Sequence, residues 1–218
     1  MKIDVANPPQ DFLVGLGFLY NPGQNHVGFI YRGLGGEIKI CDLCWHRHLR
    51  NAPFNDTAYM VCSVTLEPVN LKYLAAALDG ISSFNSATIP YGIRAPVQSF
   101  NSQNQYIGCV AGEGLTCATF VLAVFRENGF KVLDEESWEL SEADIQWQTN
   151  IVNALRSHFG MTDPVHISEM ETMIGQVSRF RPEHVFASGI VEFEKWPITY
   201  QDANEMADSI LQMLGKVG

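Results

Sequence analysis

Gly112-Glu113-Gly114-Leu115-Thr116-Cys117-Ala118-Thr119-Phe120-Val121-Leu122-Ala123-Val124-Phe125-Arg126-Glu127-Asn128-Gly129-Phe130 is the stretch around which the rest of the chain arranges itself. A glycine-bearing loop runs into a segment that is apolar on almost every side, and a helix of that kind belongs at the centre of a domain. Gly129 stands where such a helix stops. Cys117 falls in the first turn, where unpaired backbone N–H groups and the positive end of the helix dipole favour a thiolate. The same N–H groups can donate to a developing oxyanion. Gly112 and Gly114 let the backbone come close to a substrate. Free cysteine is also among the most buried residue types, so a purely structural Cys117 is the competing reading.

Upstream, the pattern is one of short strands and turns. Phe12 to Tyr20 is apolar and carries two glycines; Asn21-Pro22-Gly23 is a turn. His26 to Arg32 reads as a second strand, Glu37 to Cys44 as a third and Tyr59 to Val64 as a fourth, with Gly33-Leu34-Gly35-Gly36 turning between the second and third. Turn-separated strands predict an antiparallel meander. Pro68 opens a helix with Leu71, Leu74, Ala75 and Leu78 on one side and Gly80 near its end. Ser82 to Asn104 is a long polar stretch, and loops of that length in a compact domain are often functional. Within it, Pro90-Tyr91-Gly92-Ile93-Arg94 is placed to wall a cleft. A short strand is expected at Gln105–Val110. Beyond Leu133 the sequence predicts helices at 142–159, 168–177 and 202–214, with a strand-like run at 185–193. The expected organisation is thus a domain over 1–133 and a mainly helical extension over 134–218, in an α+β fold with the meander packed on the central helix.

His26, at the start of a strand directly after a turn, is the natural partner for Cys117. The segments His26-Val27-Gly28-Phe29-Ile30-Tyr31 and Gly114-Leu115-Thr116-Cys117-Ala118-Thr119-Phe120-Val121 resemble the permuted papain-like cysteine hydrolases. These are circularly permuted relatives of bacterial cell-wall endopeptidases and include the lecithin-retinol acyltransferase-like proteins. In that group the strand histidine precedes the helix cysteine. The resemblance spans about residues 12–130 and implies a papain-like fold with Cys117 as nucleophile and His26 as base. It implies a third, polar residue on the strand after His26 that orients the imidazole. Asp42, His46 and His48 are available there. His46 is the preferred third residue, since several permuted members use a second histidine, and Asp42 is the runner-up. Thr116, Gly114 and Tyr91 are assigned to the oxyanion and substrate loop. The group includes peptidases, amidases, thioesterases and acyltransferases, so the implied chemistry is hydrolysis or transfer at an amide, isopeptide or thioester bond, with no cofactor and no metal. Peptide, protein or acyl groups are the implied substrates.

Two rival readings use the same residues. Cys41-Asp42-Leu43-Cys44-Trp45-His46-Arg47-His48 packs four possible zinc ligands into eight residues, but a structural zinc site draws on two separated clusters, and Cys41 and Cys44 point to opposite faces of an extended strand. A non-catalytic binding protein on the same fold would keep the buried helix without the thiol–imidazole geometry. His158, His166 and His184 follow Cys117 and read as solvated side chains.

Composition narrows the partners. The chain has 218 residues, is 46% hydrophobic and 17% charged, and carries a formal net charge of −10. It is too apolar for general disorder. The negative charge excludes wrapping a nucleic-acid backbone and docking on an anionic membrane. Five cysteines are an odd number, which leaves at least one free thiol. The segment from Met1 to Pro9 has no signal-peptide core, and no run approaches the roughly 18 apolar residues of a membrane span. The expected location is the cytoplasm.

Overall fold

The computed structural model describes residues 9–215, so most of the Met1–Pro9 segment lies outside the described residues. Five antiparallel strands form one sheet: β1 (Val14–Leu19), β2 (His26–Arg32), β3 (Ile38–Trp45), β4 (His48–Pro53) and β5 (Met60–Ser63), in the order β4-β3-β2-β1-β5. The first three strands are the expected meander, and β5 returns to the open edge of β1. β4 is an addition to the sequence reading. His46-Arg47 turns β3 back on itself so that Trp45 faces His48, with Arg47 at a φ of 54°. Neither turn residue is glycine, asparagine or aspartate, so the usual hairpin signal is missing.

Side chains alternate between two apolar layers. Val27, Phe29 and Tyr31 of β2 and Cys41 and Leu43 of β3 join the large core, while Ile30 and Ile40 pack with Phe12, Phe54, Tyr59 and Val61 on the other face. The large core is filled by α2 (Cys117–Glu127), in which every residue from Cys117 to Phe125 is buried. Its Phe125 ring lies 5.1 Å from that of Phe29. α1 (Pro68–Asn85) runs past Gly80 for another turn, and Gln105–Val110 forms only an isolated bridge at Tyr106.

The last third contributes to the same core. α3 (Glu142–Phe159) matches its expected span; α4 (Pro164–Thr172) starts and ends earlier than expected; α6 (Tyr200–Met213) closes the chain. The run expected to be strand-like is a helix, α5 (Pro182–Ile190), buried from Pro182 to Gly189. A short, uniformly apolar run has no periodicity to separate helix from buried strand, and Pro182 in the first turn suits a helix start. α5 lies against β1, β2, β5 and α2. Phe186 meets Phe18 at 5.5 Å, and Gly189 sits where a Cβ would strike Leu16 and Cys62. Backbone bonds from Asp134 N to Ile198 O and from Ile198 N to Val132 O tie the two parts of the chain together. Among the described residues no helix is long and apolar enough to cross a membrane.

Candidate active site

The N-terminus of α2 is built by a capping box. Thr116 Oγ1 accepts from Thr119 N at 3.1 Å, and Thr116 N donates to Thr119 Oγ1 at 2.7 Å. Phe120 N donates to Thr116 O at 2.8 Å. Of the first N–H groups, which lack helical partners by geometry, this leaves those of Cys117 and Ala118 pointing out of the helix end. The residues assigned to the oxyanion loop must therefore be corrected. Thr116 is a cap whose N–H is already bonded, and Gly114 N donates to Arg94 O at 2.9 Å. Gly114 has a different use. A Cβ there would sit 2.4 Å from Pro90 O, so glycine lets the 90–94 segment press against the loop before Cys117. Leu115 N bonds Pro90 O, and Gly92 N bonds Leu115 O.

His26 closes the other side. Its Nε2 is paired with Asp42 Oδ2, and Cys117 is near enough to act on the ring electrostatically. With Nε2 held by Asp42, Nδ1 is the ring nitrogen left for a second partner. Burial works against a charged ring, but the bond to Asp42 and the interaction with the Cys117 thiol group overcome it and push the His26 pKa up to about 10. Asp42 is fully buried, and burial alone would raise its pKa. The hydrogen bonds from His26 and Arg50 reverse that and hold the carboxyl below its usual range. Arg50, across the β3–β4 ladder, donates to Oδ1 through Nε at 2.8 Å and to Oδ2 through Nη2 at 2.5 Å, and also reaches Tyr59 Oη at 2.8 Å. Gly28 makes this possible. A Cβ on Gly28 would lie 2.5 Å from the Asp42 Cβ.

The preferred third residue, His46, is elsewhere, and the runner-up Asp42 holds the position beside His26. His46 Nδ1 accepts from Tyr91 N at 3.3 Å, and its Nε2 faces Asp163 Oδ2 at 3.4 Å. The β-bulge at the end of β3 turns the chain before His46, so the strand alternation that carries Asp42 toward His26 does not extend to it. His46 has a partner that sequence reasoning placed at the surface. The buried His166 donates from Nε2 to Tyr91 O at 2.8 Å and accepts from Gly112 N at Nδ1 at 3.2 Å. The two rings, 5.4 Å apart, grip the Tyr91 peptide from both sides. Tyr91 is buried, stacks on Trp45 at 4.8 Å, and its hydroxyl accepts from Gln24 Nε2 at 3.1 Å. His184 is also buried, between the Trp138 and Tyr200 rings. His158 is exposed, as expected.

The zinc reading meets residues that diverge. Cys41 is in the core, the Cys44 thiol donates to Asp42 Oδ1 at 3.7 Å, His46 holds Tyr91 and His48 is exposed. All five cysteines are free thiols, Cys109 exposed and Cys117 only 3% exposed.

The chain matches no protein-family model, no curated protein and no solved structure.

Proposed function

We propose that the chain is a cysteine-dependent hydrolase or acyltransferase acting on amide, isopeptide or thioester bonds, with Cys117, His26 and Asp42 as its catalytic set on a papain-like arrangement of sheet and helix. The observation that carries this reading is His26 held between a buried, Arg50-paired carboxylate and a thiol at a helix N-terminus. The Asp42 bond fixes the ring and stabilises the imidazolium.

The chemistry follows from those positions. Cys117 and His26 share one proton, held on the ring, and the sulfur attacks the substrate carbonyl carbon as a thiolate. Negative charge moves onto the carbonyl oxygen, where the Cys117 and Ala118 N–H groups are free to receive it. His26 then hands its proton to the departing amine or thiolate, leaving an acyl-thioester on Cys117. In the second half, His26 takes a proton from water or from another acceptor, whose oxygen or nitrogen attacks the thioester. Collapse expels the Cys117 thiolate beside the protonated His26 and frees the acid or the transferred acyl product.

A panel of small acyl probes, amide and thioester, tested on wild type and on Cys117→Ala is the direct check. Covalent labelling confined to wild type and mapped to Cys117 is the expected result. The rival reading, a binding protein on the same fold, draws on the 3% exposure of Cys117. Under that reading no acyl probe labels Cys117.

A further inference from the structure

Gly17 and Gly28 stand directly opposite each other in the β1–β2 ladder. Directly opposed residues share one face of a sheet, so the two glycines leave a bare strip on that face. Two side chains fill it. A Cβ on Gly17 would lie 3.1 Å from the Tyr59 ring, and a Cβ on Gly28 would meet the Asp42 Cβ at 2.5 Å. Arg50 links the two. It is the partner of Asp42 in the β3–β4 ladder and donates to both carboxyl oxygens, through Nε at 2.8 Å and through Nη2 at 2.5 Å. The same Nη2 donates to Tyr59 Oη at 2.8 Å. β4 and β5 are the outer strands of the sheet, so Arg50 on β4 and Tyr59, the residue before β5, meet across it.

Asp42 is fully buried and has two further partners, His26 Nε2 from β2 on Oδ2 and the Cys44 thiol from β3 on Oδ1 at 3.7 Å. A carboxylate that accepts from an imidazole alone can turn about its Cβ–Cγ bond. A two-point fork removes that freedom, because its parallel bonds fix the carboxylate plane. Arg50 and His26 share Oδ2, so the plane that suits the guanidinium also sets where the imidazole finds its acceptor. From this convergence we infer that Arg50 is a positioning residue for His26, with Tyr59 as its brace, and that it acts through the two-donor shape of the guanidinium more than through its charge. The inference rests on the cysteine-hydrolase reading and extends the working site beyond Cys117, His26 and Asp42 to the outer strand β4.

Arg50→Lys keeps the charge and loses the fork, which separates the two contributions. The measurement is the rate of iodoacetamide alkylation against pH, with Cys117 read against the exposed Cys109 by peptide mass spectrometry. With the Asp42 plane free, the imidazolium loses support. The acid limb of the Cys117 profile in Arg50→Lys should then move up by about one pH unit, roughly a tenfold loss at pH 6. Tyr59→Phe keeps the ring over Gly17 and removes only the brace; it should move the limb the same way, by about threefold at pH 6. A purely structural ion pair would change the denaturant midpoint and leave the limb in place. Arg50→Ala opens the strip to solvent, since the arginine side chain is 35% exposed. Ethylguanidinium should restore more of its Cys117 rate than ethylammonium does. An Arg50→Lys profile that matches wild type, or no difference between the two cations, overturns the positioning role and leaves the nucleophile standing. If the Arg50 variants do not fold, Tyr59→Phe carries the test, and a wild-type profile there overturns the proposal. If wild-type Cys117 reacts no faster than Cys109, the cysteine reading fails and the positioning role with it.

Discussion

Asp42 shows how much of the site depends on single atoms. Its two carboxyl oxygens receive His26 Nε2 and both ends of the Arg50 fork, in a place without solvent. Asp42→Asn keeps the volume and removes the charge. It should slow alkylation of Cys117 at pH 6 by at least about tenfold, since the imidazolium loses its main support. It should also destabilise the fold by about 3 kcal/mol, because Arg50 is left half-buried without its carboxylate counter-charge. Rate constants and denaturant unfolding curves measured on the same variant separate the two effects. Gly28→Ala should act in the same direction by pushing Asp42 away. The choice between Asp42 and His46 could not be read from the sequence. Both lie near the end of β3, and the bulge that separates their directions has no composition signal. Arg50 was the missed clue: it stands on the partner strand directly opposite Asp42.

α2 illustrates the element that sequence describes best. Its start at Cys117 follows from Thr116, and its end follows from Gly129 at a φ of +87°, with Phe130 N bonding Phe125 O and Gly129 N bonding Arg126 O. Local bonds specify both ends, so local sequence is enough. α5 and β4 are the opposite case, since burial between the sheet and α2 makes the one a helix and an unusual two-residue turn makes the other a strand. Thr116→Ala removes the cap and should cost about 1 kcal/mol in thermal or denaturant unfolding. The His46–His166 grip on Tyr91 makes a sharper prediction about the loop before α2. Burial and the neighbouring His166 lower the His46 pKa to about 4. The ring must be neutral at Nδ1 to accept from Tyr91 N, so its protonation sets two N–H groups against each other. His46→Asn retains an acceptor in the place of Nδ1 and cannot be protonated. Its Cys117 reactivity should persist to lower pH than that of wild type, whereas His46→Ala should lose reactivity at every pH. Identical acid limbs in wild type and His46→Asn would contradict the grip.

At the level of the whole molecule, three histidines set opposing pH dependences. His26 has a folded pKa raised from 6.5 to about 10, so its contribution to stability is complete below pH 6.5 and is lost as pH rises through about 10. His46 and His184 have folded values lowered to about 4, His184 by burial and then by Arg181. Its approach to Asn204 falls short of a hydrogen bond, and neither ring nitrogen has a partner. For both rings the unfolded chain binds the proton more readily, so stability falls as pH drops from 6.5 through 4. Unfolding free energy should therefore peak near pH 6.5. His184→Phe should flatten the acid side, a result that denaturant titrations at pH 4.5, 6.5 and 9 would establish. The sequence division at residue 133 follows a real change in texture, from strands to amphipathic helices. It does not reveal that α5 fills the groove beside α2, because packing between segments 50 to 170 residues apart leaves no local trace. The Asn25–Glu183 bond brings that last third to the residue before His26.

The central claim is that His26 and Asp42 make Cys117 a nucleophile, and competitive labelling with iodoacetamide at pH 6 tests it most directly. Cys109, exposed and away from these groups, is the internal reference. Cys117 should be alkylated at least about tenfold faster than Cys109 despite its burial, and His26→Ala should abolish that advantage. Alkylation of Cys117 no faster than Cys109, or an advantage that survives His26→Ala, would contradict the account.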